Sequence, residues 1–358
     1  RAGLETSFRN LQVDYVDLFA LHGCNMPHQY DWVFGEGGCW EVVQEYVKAG
    51  KIRNVGFSTH GPPDLIRTFI ETDKFDYANL HYHYFGSYTA SGCGDYLGNL
   101  GNVRLMNEKD MGVFVISPYD KGGAVYMPSK KLLSLTLPEL EPMAFGSAWL
   151  WNHHKMDAQG AAIHTIVCGA ARPSDLDLPA VAAYLHATQP EEMLDKVKTV
   201  TARLGAAKED ALGKEWLKTC YKGILKSNQS KFCVEHNQII WMYNLIQAFG
   251  LWEFAKNRYG SLESNLSKWD KSESHEENIA KNLGGWGFVP GLPNEEGVDY
   301  SDDFTCVPEE NVKRVLEAEE FVRFWCTKPK KDDEKQDEKK ESDEDASAEP
   351  KEASPPSP

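Results

Sequence analysis

Long apolar runs are missing from this 358-residue chain. None approaches the roughly 18 residues needed to cross a bilayer, and no basic stretch followed by an apolar core opens the chain. A soluble, cytoplasmic protein is expected; the chain begins at Arg1 rather than Met, which leaves room for a targeting segment upstream. Positive charge is scarce as well. Against 38 Lys and Arg stand 54 Asp and Glu, a net charge of -16, of which residues 328–358 hold -4 and the body -12. Nucleic acid or an anionic membrane surface needs a basic footprint, so neither is an expected partner. The cysteines at 24, 39, 93, 168, 220, 233, 306 and 326 form no CxxC or CxxH pair. That counts against a zinc site and a disulfide-dense scaffold, so no metal is expected and the thiols read as reduced. No GxGxxG follows a strand-like segment, which weakens the case for an open doubly wound nucleotide fold.

What is present is an alternation of strand and helix signals. Val13–His22 reads as a short apolar strand ending in a histidine. Residues 39–51 place Trp40, Val43 and Val47 at helical spacing and close on Gly50, the residue best suited to a left-handed helix end. Ile52–Ser58 is a strand, followed by a helix from the Gly-Pro-Pro-Asp stretch whose Leu65, Ile66, Phe69 and Ile70 share a face. Phe75–Tyr84, Gly112–Pro118 and Ile163–Cys168 supply three more strands, with weak helix over 96–111, helix over 142–155 and another opening at Arg172-Pro173. Strands separated by helices imply a parallel sheet covered by helices. His22, Ser58-Thr59-His60, His81-Tyr82-His83, Ser117 and Gly169 with Arg172 fall at or just past strand C-termini. In a (β/α)8 barrel such positions converge on the working face.

After residue 186 the strands stop. Residues 187–327 read as a helical extension: two short helices over 191–222, a long one over Asn237–Tyr259, a loop over 260–305, and a last helix over Pro308–Trp325 using Val312, Val315, Leu316, Phe321 and Phe324. Residues 328–358 alternate Lys with acids and carry no apolar side chain larger than alanine. Such a tail buries too little to offset its ordering entropy and is expected to be disordered.

The run Ser7–Leu18, ending in Leu21-His22-Gly23, resembles the fourth-strand signature of the aldo-keto reductase family. Gly50–Ser58 resembles the fifth-strand signature, and Ile116-Ser117-Pro118 and Gly169–Pro173 fit the seventh and eighth strands. The resemblance covers residues 1 to about 185. It implies a TIM-type (β/α)8 barrel of which strands four to eight are present, and hydride transfer from NADPH, less often NADH, to an aldehyde or ketone. His22 matches the histidine of the family's Asp-Tyr-Lys-His tetrad, which orients the carbonyl. The other three precede the fourth strand in the family, so the chain is expected to be truncated at its N-terminus and inactive alone.

The resemblance also assigns cofactor contacts. Ser58 matches the serine that binds the nicotinamide carboxamide, with Thr59 where the family has asparagine. Ser117, Lys121 and Gly122 fall in the loop over the pyrophosphate, and Gly169 and Arg172 near the adenosine phosphate. Leu80 and Ile116 depart from the family's glutamine and stacking aromatic, and Asp175 stands where many NADPH-preferring members have arginine. The Pro-Tyr-Asp-Lys-Gly-Gly loop resembles a bacterial and algal-type branch, some of whose members carry a C-terminal iron-sulfur cluster. Phe254–Tyr259 and Gly285-Trp286-Gly287 echo that extension, but only Cys220 and Cys233 precede the helix, too few for a cluster needing about four thiolates.

Other residues have plainer readings. His81 and His83, two apart on one strand, are read as pocket lining rather than metal ligands, and Cys24 as a loop cysteine. The aromatic stripe at 240–254 is read as packing. The 24–39 segment, with Trp32 and Phe34, is expected to cover the pocket mouth and to favour an apolar or aromatic carbonyl. The activity implied is NAD(P)H-dependent carbonyl reduction; the rival is a catalytically degenerate barrel serving as a nucleotide-binding or regulatory scaffold. Substrate identity and oligomeric state stay open.

Overall fold

Five strands, all parallel, pair in the order in which the chain visits them: β1 (Val16–Leu21), β2 (Ile52–Ser58), β3 (Tyr77–Leu80), β4 (Gly112–Ile116) and β5 (Thr165–Val167). The computed structural model describes residues 1–87, 90–119, 124–170, 172–227, 229–274, 277–278, 281 and 291–327. A doubly wound sheet reverses its strand order at a switch point. Sequential order among the described strands is instead that of half a (β/α)8 barrel. The tail at 328–358, Gly285-Trp286-Gly287, and Asp120 to Gly123 lie outside the described residues.

The first core lies between the sheet and its helices. α1 (Ala2–Leu11) precedes β1 and was not among the expected elements; Gln12 closes it at φ 56, so the strand starts at Val16 rather than Val13. α2 (Pro27–Phe34) and α3 (Cys39–Lys48) follow. Phe34 of α2 packs on Phe69, Phe75 and Trp40, so its ring belongs to the core and does not cover a pocket mouth. Burial of this aromatic group is the stronger demand, leaving Trp32 exposed. α4 (Pro63–Ile70) buries Leu65, Ile66, Phe69 and Ile70 on one face, as its spacing requires. Gly56 in β2 has a steric reason: a Cβ there would sit 2.5 Å from the Tyr77 ring.

β3 ends at Leu80, so His81 and His83 lie in the connection beyond it and not on a strand. The His81 carbonyl instead accepts from the Asn99 side-chain amide at 2.8 Å. Asn99 opens α5 (Asn99–Glu108). Arg104 on α5 grips Asp157 through Nε and Nη2, fastening the turn before β5.

The second core gathers α6 (Lys130–Thr136), α7 (Pro142–Trp151), α9 (Asp177–Thr188) and the extension. α8 (His153–Met156) is one turn, and a 3-10 turn at Pro173–Leu176 precedes α9. Residues 191–222 form one 23-residue helix, α10 (Pro190–Leu212), and a short α11 (Lys214–Thr219), divided at Gly213 with φ 80. The expected long helix divides in the same way into α12 (His236–Phe249) and α13 (Trp252–Leu266), because Gly250 takes φ 66. α14 (Glu309–Cys326) closes the unit. Its buried face runs through Val315, Ala318, Glu319, Val322 and Cys326, and so Leu316 and Phe324 are exposed, against expectation. The face had to turn toward a polar partner: Glu319 bonds His236 of α12.

That partner is buried. His236 Nδ1 donates to Glu319 Oε1 at 2.5 Å and Nε2 to Asp303 Oδ2 at 3.1 Å. Burial alone would depress the imidazole, but the two carboxylates outweigh it and raise its pKa to about 9. The network therefore holds an imidazolium at neutral pH, and it joins α12, α14 and the 3-10 turn Ser301–Phe304.

Candidate active site

Because all five strands are parallel, their C-terminal ends share one sheet edge. His22, Ser58, Ser117 and Gly169 each stand at or one or two residues past a strand end on that edge. The β1 and β2 ends are sewn together. Gly23 N–H donates to both the carbonyl and Oγ of Ser58, each at 3.1 Å, and Cys24 N–H to the same carbonyl at 2.9 Å. Ser58 thus fixes the loop that carries the exposed His22, while its own hydroxyl hydrogen remains to donate. Cys24 is buried and its thiol is pushed up to about 12, a loop cysteine with little thiolate character.

Thr59 is wholly buried and its hydroxyl is engaged at both ends, donating to the Cys24 carbonyl at 2.7 Å and accepting from Gly61 N–H at 3.0 Å. Its side chain holds the β1 and β2 loops together. Ser117 adopts φ 53, a conformation uncommon for a side-chain-bearing residue and often found at functional positions. Gly169 is exposed, with open space where a Cβ would stand. Arg172 is exposed and committed to its own turn: Nη2 and Nε bond Asp175 Oδ1 at 2.8 and 3.2 Å, and its N–H bonds Oδ2. Lys121 and Gly122 lie outside the described residues.

The edge continues into a file of imidazoles. His60 Nδ1 lies 2.6 Å from His81 Nε2, and His81 Nδ1 lies 3.3 Å from His83 Nε2. His60 N–H is anchored on Asn25 Oδ1 at 2.6 Å. Beside them, His153 Nδ1 faces the Ala161 carbonyl at 2.6 Å, which can only accept. The proton therefore sits on Nδ1, and Tyr82 donates its hydroxyl to Nε2 at 2.8 Å. Burial keeps this imidazole neutral by depressing its pKa. Among the described residues no group of three His, Cys, Asp or Glu could hold a metal ion, and no helix is long and apolar enough to cross a membrane.

Next to His81 and His83 opens a cavity of about 440 Å³ between the β3–α5 connection and the extension. Its lining includes Tyr84, Cys93, Lys208, Cys220 and Trp241. Cys93 accepts from Tyr221 N–H at 3.2 Å and from the Cys220 thiol; the Cys220 bond is the main influence bringing Cys93 down to about 7. Their meeting was not visible in the sequence, because 84, 93, 208 and 220 carry no shared motif and come together only when the extension folds back. His81 and His83, read from the sequence as pocket lining, do line this cavity, and aromatic density near 82–85 was a second hint.

No curated protein matches the chain. Among solved structures, the holo form of aldo-keto reductase AKR11C1 from Bacillus halodurans is similar with a TM-score of 0.38 and 20% identity, over 56% of this chain and 65% of that one. The aldo-keto reductase MGS-M4 from a Medee basin deep-sea metagenome library is similar with a TM-score of 0.37 and 14% identity, over 56% of this chain and 64% of that one. This chain therefore spans less than two thirds of the length of either. Residues 1–124, from the first helix to just past the β4 end, match the model of the Aldo/keto reductase family.

Proposed function

We propose that the protein to which this chain belongs reduces a small aldehyde or ketone to the alcohol with NADPH, and that strands β1 to β5 are the fourth to eighth of its barrel. The observation that carries this reading is the single sheet edge on which His22, Ser58 and Ser117 stand within the family match, with Gly169 of a later strand end, outside the match, on the same edge. The nicotinamide cofactor supplies the hydride. His22 orients the carbonyl by hydrogen bonding, and Ser58, with its hydroxyl hydrogen available, holds the carboxamide. Ser117, Lys121, Gly122 and Gly169 take the phosphates, where backbone N–H groups and a cation suit anions. Thr59 supports the site from below through its buried hydroxyl. Arg172 is the adenosine-end cation, and there the fit is poorer: Asp175 already neutralises it and would repel a 2′-phosphate while accepting from a free ribose. NADH is accordingly the competing cofactor.

No lysine precedes His22, so the chain as given holds no complete tetrad and does not turn over alone. The engaged Thr59 and Arg172 favour a second reading, a nucleotide-binding scaffold without chemistry. One experiment separates them. NADPH and NADH are titrated against the 358-residue chain by fluorescence and then assayed for consumption with an aldehyde panel, alone and in the full-length protein. Binding with turnover only in the full-length protein supports the reductase; binding without turnover in either supports the scaffold. Binding of neither cofactor to the full-length protein overturns both.

A further inference from the structure

The cavity beside His83 holds a lysine that no carboxylate of its lining pairs. Lys208 of α10 lines it, with Nζ 4.5 Å from the centroid of the Tyr84 ring, and burial pushes the amine below the ordinary lysine range. In a chain of net charge -16, no carboxylate lines this cavity among the described residues. Two partly buried arginines elsewhere are treated otherwise: Arg104 is gripped by Asp157 and Arg203 by Glu139. A partly buried ammonium without a carboxylate beside it gains when something anionic joins it.

The rest of the lining says what the remainder of such a ligand must be. Tyr84, Phe85, Trp149, Trp241 and Phe249 furnish aromatic faces and edges. Several polar groups of the lining are already engaged. Trp241 donates its indole N–H to the Phe85 carbonyl at 2.8 Å, and Tyr84 donates to the Thr201 carbonyl at 3.4 Å. Asn244 accepts from Trp216 at 2.7 Å and donates toward Cys220 and Tyr221. An occupant thus meets aromatic walls, one cationic head and the hydroxyl of buried Ser87. A single lysine, without an arginine fork, matches one negative charge better than the paired phosphates of a nucleotide.

We propose that this cavity binds a small aromatic monocarboxylate, its ring between the tryptophans and its carboxylate on Lys208. The site lies between the β3–α5 connection and the extension, so an occupant ties the two together. The inference does not rest on the reductase reading and is tested without cofactor.

The probe is trans-cinnamate, with cinnamyl alcohol as its uncharged counterpart, titrated calorimetrically into the full chain. Saturable cinnamate binding at least about tenfold tighter than that of the alcohol is expected, because the charge supplies the difference. Lys208→Met should reduce cinnamate to the affinity of the alcohol while leaving the alcohol unchanged, which also reports that the cavity is intact. Lys208→Arg, which keeps the charge, should retain a preference for the acid and serves if the methionine variant does not fold. No saturable cinnamate binding, equal affinity for acid and alcohol, or cinnamate binding unchanged in Lys208→Met would each overturn the proposal. So would loss of cinnamate binding in His22→Ala with Lys208→Met unaffected, since the acid would then occupy the strand-end site.

Discussion

Thr59 illustrates how a residue's role is decided by its bonds rather than its address. The motif places it at the cofactor end of β2, yet its hydroxyl is enclosed and bridges two loops. Thr59→Val keeps the volume and leaves a buried carbonyl and a buried N–H without that partner. A loss of about 1–3 kcal/mol is expected, read as a lower thermal midpoint with no cofactor present. An unchanged midpoint would mean the hydroxyl is not structural. Ser58 is the opposite case, bonded and still able to donate, which is why it keeps the nicotinamide assignment. On the reductase reading proposed above, His22→Ala in the full-length protein should lower kcat/KM for a good aldehyde substrate by about 10²-fold, the range of a group that positions and polarises, with cofactor affinity retained. Equal loss of cofactor binding would place His22 elsewhere.

At the scale of elements, the joints of the extension are its most exacting positions. Gly250 separates α12 from α13 at φ 66, where a Cβ costs roughly 1–2 kcal/mol. Gly250→Ala should destabilise by that order in urea unfolding, whereas Gly146, with negative φ and open space around its Cβ position, should tolerate alanine. The His236 network gives a pH dependence with a definite sign. Its folded pKa of about 9 lies above the unfolded value near 6.5, so its stabilisation is full below about 6.5 and is lost as pH rises through 9. Asp303 is the mirror image. Although burial alone would raise it, bonds from His236 and Ser230 hold it below the usual carboxylate range, so its contribution is present above the unfolded value and lost as pH falls through the folded one. Urea midpoints should therefore drop from neutrality toward pH 10, and His236→Gln should lose about 3–5 kcal/mol by leaving two buried carboxylates facing each other. The parent's alkaline loss between neutrality and pH 10 should be absent from that variant, whose own pH dependence comes from its facing carboxylates.

Across the whole molecule, the order of strands was legible because each carries its own apolar run and the connections between them are ordinary. Helix faces at Leu65 to Ile70 were legible for the same reason: period and partner agree. What escaped was set by contacts between distant segments. Glu319 turned α14 away from its most hydrophobic side, glycine conformations at 213 and 250 split runs that periodicity alone joins, and the Lys208 cavity exists only where α10 and α12 meet the β3–α5 connection. The strand-end residues were found through a motif, and the motif could not say which side chains were already engaged. α7 shows how closely the two parts depend on each other, burying Met143, Phe145 and Ala148 in the second core. A chain ending at residue 186 would lose α10 and α12 from that core. It should bind an apolar dye strongly and run as aggregate on size exclusion, while the full chain does neither.

The sequential sheet has a kinetic meaning as well. Every strand docks on the one made just before it, so the half-barrel can grow as the chain emerges, each step closing only a modest loop. The extension obeys another clock: Trp241 reaches Phe85 across 156 residues and Arg314 reaches Leu212 across 102. Contacts of such separation form late and slowly. Synthesis on the ribosome would thus leave the aromatic walls of the cavity unpaired until α12 appears, and that interval is when the nascent chain most needs a chaperone.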